Sequence, residues 1–238
     1  MTTPQIPLQL RWPLRQRFEY FLPGDNAASI ELIRAAATHT GGDWVVVCGP
    51  SRSGRTHLLI AACQAAIALR EPAQYLPLKH LPDLTLALRG MSGTGVLALD
   101  DIDAVAGNHE AEVALFDLYN RGRAHGGHLL FSTPKLPSQL GIQLPDLRSR
   151  LGACTLAVLR PLDDEQRREM LRRQAARRGL ELDDGVLDWL FSRFSRDPGD
   201  LIELLERIDR ASLAARRKVT IPFLRSMVPG QVIDLPSD

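Results

Sequence analysis

Five short runs of β-forming residues punctuate the first two-thirds of the chain, and helical periodicity fills most of the intervals between them. Val45-Val46-Val47-Cys48 leads into a glycine- and serine-rich loop, after which His57-Leu58-Leu59-Ile60-Ala61-Ala62 opens a helix running to about Arg70. Residues 73–77 predict a short strand, 81–88 a helix started near Pro82-Asp83, and 90–95 a loop. Val96-Leu97-Ala98-Leu99 is apolar throughout, as a strand covered on both faces of a parallel sheet must be. Residues 110–125 are amphipathic, with Val113, Phe116 and Leu118 among the apolar positions, and 128–132 and 155–159 are further strands. Ahead of all these, Ile30, Ile33 and Ala37 recur at helical spacing over 27–38, with Asp25 or Asn26 as the cap and Gly41-Gly42 as the stop. Strands alternating with helices predict an α/β fold around a parallel five-stranded sheet.

The two ends of the chain follow other patterns. Residues 1–24 lack periodicity and carry Pro4, Pro7 and Pro13, which forbid a regular helix, so an extended tail anchored at Phe18, Tyr20 and Phe21 is expected. After Arg160-Pro161 the strands cease. Helices are predicted over 163–178 (ended by Gly179), 186–194, 199–217 with Leu201, Leu204, Leu205 and Ile208 on one face, and 221–228. The expected domains are a tail at 1–24, an α/β core at 25–160 and a small helical bundle at 161–238.

Composition narrows the function classes. The chain has 238 residues, 45% hydrophobic and 24% charged, enough to bury a sizeable core. No apolar run approaches membrane-spanning length, and Met1 to Leu10 lacks the basic-then-apolar order of a signal peptide. Cys48, Cys63 and Cys154 are scattered without a CxxC pair, which points away from disulfides and zinc and toward the cytoplasm. His125 and His128 flank Gly126-Gly127 with no further ligand cluster. A net charge of +1 argues against a broad electrostatic footprint for DNA, and the arginine runs after residue 160 alternate with Glu and Asp as solvated helix faces do.

The candidate chemistry lies at the strand ends. Gly49-Pro50-Ser51-Arg52-Ser53-Gly54-Arg55-Thr56 has the spacing of a phosphate-binding loop, with Arg55 where that pattern has Lys. Glycines let consecutive N–H groups turn inward, the following helix adds its dipole, and the Thr56 hydroxyl can reach Mg²⁺. The departure at Arg55 favours nucleotide binding over fast hydrolysis, since Arg presents a planar fork in place of a compact ammonium. Asp100 and Asp101 end the 96–99 strand, where ligands bind in open α/β sheets. Asp100 can position Mg²⁺, and Asp101 can orient or deprotonate a water. Ser132-Thr133 ends another strand and could touch a γ-phosphate, though spacing leaves an ordinary turn equally open. Leu144-Pro145-Asp146-Leu147-Arg148-Ser149-Arg150-Leu151 predicts a short capped helix carrying two arginines. One of these could act in trans on a neighbour's γ-phosphate, or both could be solvated.

In order, these pieces resemble the AAA+ module of DnaA-type replication initiators. Within that group the chain is most similar to the Hda-type regulators that inactivate DnaA. The resemblance is carried by residues 49–58, Ile102-Asp103-Ala104-Val105-Ala106-Gly107, Phe116-Asp117-Leu118-Tyr119-Asn120-Arg121, 144–151, Asp209-Arg210-Ala211-Ser212 and 217–223, and extends over nearly the whole chain. Arg at position 55 is usual in that group.

The resemblance implies a P-loop AAA+ core with a helical lid from about Pro161. It makes Gly49 to Thr56, with His57, the nucleotide-binding Walker A segment. Asp100 and Asp101 become Walker B, with Thr56 and Asp100 on Mg²⁺ and Asp101 catalytic. Ser132 or Thr133 becomes the first sensor and Arg150 the arginine finger. Gly199 stands where a second sensor arginine is expected, with Arg196 a turn away. The implied ligand is ADP or ATP, ADP being favoured. The implied partners are DnaA and the DNA polymerase III sliding clamp (β subunit). The clamp would be bound through Gln9, Leu10, Trp12, Pro13 and Leu14, which are similar to a Gln-Leu-x-Leu-Pro-Leu peptide; Gln5-Ile6-Pro7-Leu8 fits less well. A homodimer is compatible, and neither a membrane nor sequence-specific DNA binding is expected, since no DNA-binding domain follows the lid. The implied function is a clamp-docked regulator that stimulates ATP hydrolysis by DnaA. An autonomous helicase-loader-type ATPase, kept open by Asp100-Asp101, and a DNA-binding DnaA paralogue are the alternatives.

Overall fold

The runs at 45–48 and 96–99 present apolar side chains to both faces, so helices must cover them above and below. In the computed structural model, which describes residues 15–38 and 43–227, they are so covered. Residues 9–14, with the clamp-type motif, and Gly41-Gly42 lie outside the described residues, as does the end of the last predicted helix at Val228. The chain divides into two units, Met1–Arg160 and Pro161–Asp238.

In the first unit, β1 (Val45–Cys48), β2 (Ala73–Pro77), β3 (Val96–Asp100), β4 (His128–Thr133) and β5 (Thr155–Val158) form one sheet in the order β2-β3-β4-β1-β5. Every pairing is parallel, with Val45 opposite Leu130 on one side and Thr155 on the other. Helices α1 (Ala27–Thr38) and α2 (Arg55–Ala68) bury Ile33, Leu58, Leu59 and Ala62 against Val45, Val47, Ala98 and Leu130. Helices α3 (Leu84–Gly90), α4 (His109–His125) and α5 (Pro145–Gly152) bury Leu88, Leu115, Leu118 and Leu147 against Val46, Leu97, Leu99 and Phe131. The helix after β1 therefore crosses one face and the helix after β4 the other. Their diverging connections leave a crevice at the carboxyl ends of these adjacent strands.

The start of α1 departs from the capping expected at Asp25 or Asn26. A 3₁₀ turn, Gly24–Asn26, precedes it, and the Asn26 side chain is 2% exposed and bonded elsewhere. Asn26 Nδ2 donates to the Arg160 carbonyl (2.9 Å) and Oδ1 accepts from the Arg160 N–H (2.7 Å). Ser29 Oγ donates to the Val158 carbonyl (2.7 Å). The strand β5 forms an edge, and its outward backbone groups need partners more than the helix needs a cap. On α4, Val113 and Phe116 are only half-buried, while Glu112 is fully buried. The tail's anchor is a 3₁₀ turn at Phe18–Tyr20; Phe18 is buried beneath the Arg34 guanidinium, 4.4 Å from the ring centroid.

The second unit is helical: α6 (Asp164–Ala176), α7 (Asp184–Phe191), α8 (Pro198–Ala215) and α9 (Ile221–Met227). Asp163, Asp183 and Asp197 each cap a helix, and Asp163 forms a reciprocal capping box with Gln166. Leu201, Leu204, Leu205 and Ile208 bury one face of α8. Arginines of this unit pair with acids on other segments, as in Arg168 of α6 with Asp188 of α7 (2.6 Å) and Arg196, before α8, with Asp164 of α6 (2.5 Å), and at this exposure each pair adds little stability.

Candidate functional site

The chain leaves β1 at Cys48 and turns back on itself within six residues to start α2. Gly49 admits this turn, because a Cβ there would lie 2.7 Å from Ser53 Oγ and 3.0 Å from Leu159 Cβ. Gly54 closes it in a left-handed conformation (φ 93°), with its α-carbon face packed on Phe21, and Arg52 is also left-handed (φ 65°). Pro50, Ser51 and Arg52 form the exposed crest, and Ser53 is buried beneath it. No side chain caps α2 at Gly54, so its first N–H groups face the loop's interior. Two buried polar atoms without a protein partner, Ser53 Oγ and Arg55 Nη1, belong to this same loop. A cradle of turned backbone amides with such donors suits a phosphate group.

The acids of β3 meet the loop directly. Asp100 is 4% exposed, and one of its oxygens accepts from Thr56 Oγ1 (2.6 Å) and Tyr75 Oη (2.7 Å). Its other oxygen accepts from Ser132 Oγ, which in turn accepts from the Asp101 N–H (2.8 Å). Asp101 is held left-handed (φ 56°, ψ 58°) and takes two cations, Arg55 Nη2 at 3.0 Å and Lys79 Nζ at 3.4 Å. Lys79 also reaches Asp103 at 3.0 Å. Partial burial works against the charge of Lys79, but its bonds to Asp103 and Asp101 outweigh this and raise its pKa. Burial, and then the charge of Asp100, push the Tyr75 phenol well above its ordinary range, so it stays a donor. Burial also raises the Cys48 thiol, against the nearby charge of Arg55.

This arrangement decides between two neighbours and sets one residue apart. Ser132 faces Asp100, whereas Thr133 Oγ1 donates to the Lys135 carbonyl (2.9 Å), so Ser132 is the polar strand end within the site. His57 is turned the other way. Its Nε2 meets the Arg17 carbonyl at 2.9 Å and its ring lies 5.3 Å from that of Phe21, where burial lowers its pKa. Tyr75 and Lys79, which the sequence pattern did not single out, complete the cluster; both follow from the strand next to β3, and neither belongs to a local motif. Among the described residues no group of three His, Cys, Asp or Glu could hold a metal unaided. Thr56 and Asp100, already in contact, fit a Mg²⁺ that takes its remaining oxygens from phosphate and water.

Arg150 stands elsewhere. Leu147 and Leu151 anchor α5, and Arg148, Ser149 and Arg150 are exposed. The Arg150 guanidinium lies 5.9 Å from the Tyr119 ring centroid. That ring meets Trp44 edge-on at 4.3 Å, and Trp44 Nε1 donates to the Gly127 carbonyl (3.1 Å). Trp44 immediately precedes β1 and Gly127 immediately precedes β4. Arg150 therefore sits toward the amino ends of the strands, while the phosphate-type loop leaves their carboxyl ends. A four-residue strand alone spans about 13 Å.

Known proteins show the same architecture. Residues 164–228 match the family model for the lid domain of Hda. Domain III of the replication initiation protein DnaA from Thermotoga maritima superposes with a TM-score of 0.72 at 18% identity, over 98% of this chain and all of that one. AMPPCP-bound DnaA from Aquifex aeolicus gives 0.68 at 22% identity, over 81% of this chain and 65% of that one. The Holliday junction branch migration motor RuvB of Thermotoga maritima gives 0.64 at 19% identity, over 89% and 70%. At these identities the structural likeness establishes the fold alone, a parallel α/β unit followed in the chain by a helical one.

Proposed function

We propose that this chain, an Hda-like AAA+ protein with the fold of DnaA domain III, regulates replication initiation by lending Arg150 to the ATP site of DnaA. The observation that carries the proposal is the placement of Arg150 at the far end of the sheet from the chain's own loop. From there its guanidinium is out of reach of a phosphate held by Gly49 to Thr56, and it is exposed to a second molecule. A planar, permanently charged fork suits the spread charge of phosphoryl transfer, and an arginine supplied in trans raises such rates by roughly a thousandfold or more.

The chain's own loop serves binding. Arg55, Thr56 and the backbone of Gly49 to Gly54 hold a nucleotide, with ADP the favoured ligand, and Thr56 and Asp100 hold Mg²⁺, which when bound would neutralise phosphate charge. DnaA relatives bound to AMPPCP support a nucleotide here. Asp101 is engaged by Arg55 and Lys79, which competes with any role as a base and suits a slow intrinsic ATPase. Gln9, Leu10, Trp12, Pro13 and Leu14 dock the chain on the β sliding clamp: Gln9 supplies a polar contact, Leu10, Trp12 and Leu14 apolar anchors, and Pro13 a pre-set extended backbone.

The test is phosphate release from ATP-loaded DnaA with DNA-loaded clamp, with and without this chain. Stimulation that also vanishes in a Gln9→Ala, Leu10→Ala variant supports both halves of the proposal, and no stimulation by the wild type refutes it. The strand-end acid pair Asp100-Asp101, in reach of Thr56, leaves a second reading as an autonomous helicase-loader-type ATPase. ATP turnover by the purified chain without DnaA or clamp would support that reading instead.

A further inference from the structure

We infer that Glu112 is a positioning residue that fixes α5, and so Arg150, relative to the acidic end of the nucleotide site. The inference deepens the proposed function and rests on it for its activity readout. Glu112 lies in the first turn of α4 and is 0% exposed. A buried carboxylate is costly unless donors surround it, and here they come from two separate loops. Its oxygens accept from the Gly107 N–H (2.8 Å), the Gln143 N–H (3.1 and 3.0 Å) and the Leu144 N–H (2.7 Å).

Each donor belongs to a segment with a job. Gly107 follows the 3₁₀ turn Ile102–Val105, whose first bond, Ala104 N–H to the Asp101 carbonyl, starts at the acid pair. Gln143 and Leu144 lead into α5; Leu144 supplies no side-chain cap and Pro145 has no N–H to offer. The last backbone donors before the arginine-bearing helix therefore end on one carboxylate, which also complements the positive end of that helix. Glu112 and Tyr119 are seven residues apart, two turns along the same face of α4. Glu112 holds the entry of α5, and Tyr119 receives Arg150 near its exit. An apolar residue at 112 could fill the space, but it would fix neither the direction nor the register of α5.

The experiment compares wild type, Glu112→Gln and Arg150→Ala in two readouts. Gln keeps the volume, removes the charge and turns one acceptor into a donor. In amide hydrogen exchange, Glu112→Gln should lose protection about tenfold or more at Gln143, Leu144 and along α5, with α2 unchanged. In DnaA-stimulated phosphate release it should lower the maximal rate by about tenfold or more, leaving the half-saturating concentration unchanged. Retained protection across 143–151 overturns the inference. So does an unchanged maximal rate, or a rise in half-saturation alone, which would make Glu112 a shaper of the docking surface. If the wild type does not stimulate DnaA, the proposed function fails, and the exchange readout alone decides for or against Glu112. Should Glu112→Gln not fold, Glu112→Asp, which keeps the charge and withdraws it by one methylene, is measured with the same outcomes.

Discussion

Arg55 and Arg150 stand at opposite ends of one parallel sheet and are treated in opposite ways. The side chain of Arg55 is 11% exposed, is bonded to Asp101 and opens α2 directly after the loop. Arg150 is exposed, on an eight-residue helix, with its guanidinium laid against the ring of Tyr119. The first end is knitted from within: Thr56, Tyr75 and Ser132 all donate to Asp100, and Lys79 bridges Asp101 and Asp103. At the second end α5 is anchored below its surface by Leu147 and Leu151. On the proposed reading, an arginine folded into its own acids serves its own site, and one carried exposed on a short helix serves another molecule's.

Arg150→Ala gives the largest effect that separates the two ends. DnaA-directed hydrolysis should fall by roughly a thousandfold, while calorimetric affinity for ADP and the melting temperature stay at wild-type values. Arg55→Ala should show the reverse, with ADP binding weaker by about tenfold to a hundredfold through loss of a charged hydrogen bond. Isothermal titration at fixed Mg²⁺ checks this, and equal affinities would separate Arg55 from the phosphate.

Smaller effects sharpen the picture of the knitted end. Gly54→Ala places a methyl 2.4 Å from Phe21 Cε2 at φ 93°. It should destabilise the chain by more than about 1 kcal/mol in urea titration, with the Phe21 and His57 rings displaced. Tyr75→Phe removes one of the donors to Asp100 and should cost about 1 kcal/mol, read as a lower denaturation midpoint with an unchanged slope. The smallest effect is alkaline. Burial on α2 pushes the Cys63 thiol from 9.0 up to about 12. A raised folded-state pKa means that its contribution is complete below about pH 9 and is lost as pH rises toward 12. Under reducing conditions, thermal stability should therefore fall more steeply above about pH 9 in the wild type than in Cys63→Ala.

The sheet and its loop were legible because their signals are local. Val45 to Cys48 followed by Gly49 and Gly54, and four apolar residues ending in Asp100-Asp101, state the strand, the turn and the acid in consecutive positions. The short helix with its two arginines at 148 and 150 was legible for the same reason, but the cap expected for it is absent, since Leu144 offers no side-chain acceptor. The rest depends on contacts between distant positions. Tyr75 and Lys79 enter the site only because β2 pairs with β3. Asn26 had the identity and place of a helix cap, yet the unpaired edge at Arg160, 134 residues away, takes its side chain. Glu112 reads as one more polar position on an amphipathic helix until the loops at 107 and 143–144 close over it. His57 adjoins the loop in sequence, but the helical turn points it at Arg17 and Phe21.

The measurement that bears most directly on the central claim is single-turnover phosphate release from DnaA loaded with γ-labelled ATP, in the presence of clamp on DNA. The chain is supplied with unlabelled ADP, so that every labelled phosphate comes from DnaA. Wild type and Arg148→Ala should accelerate release and Arg150→Ala should not, although all three bind ADP and clamp equally. Acceleration by Arg150→Ala at the wild-type rate would contradict the account.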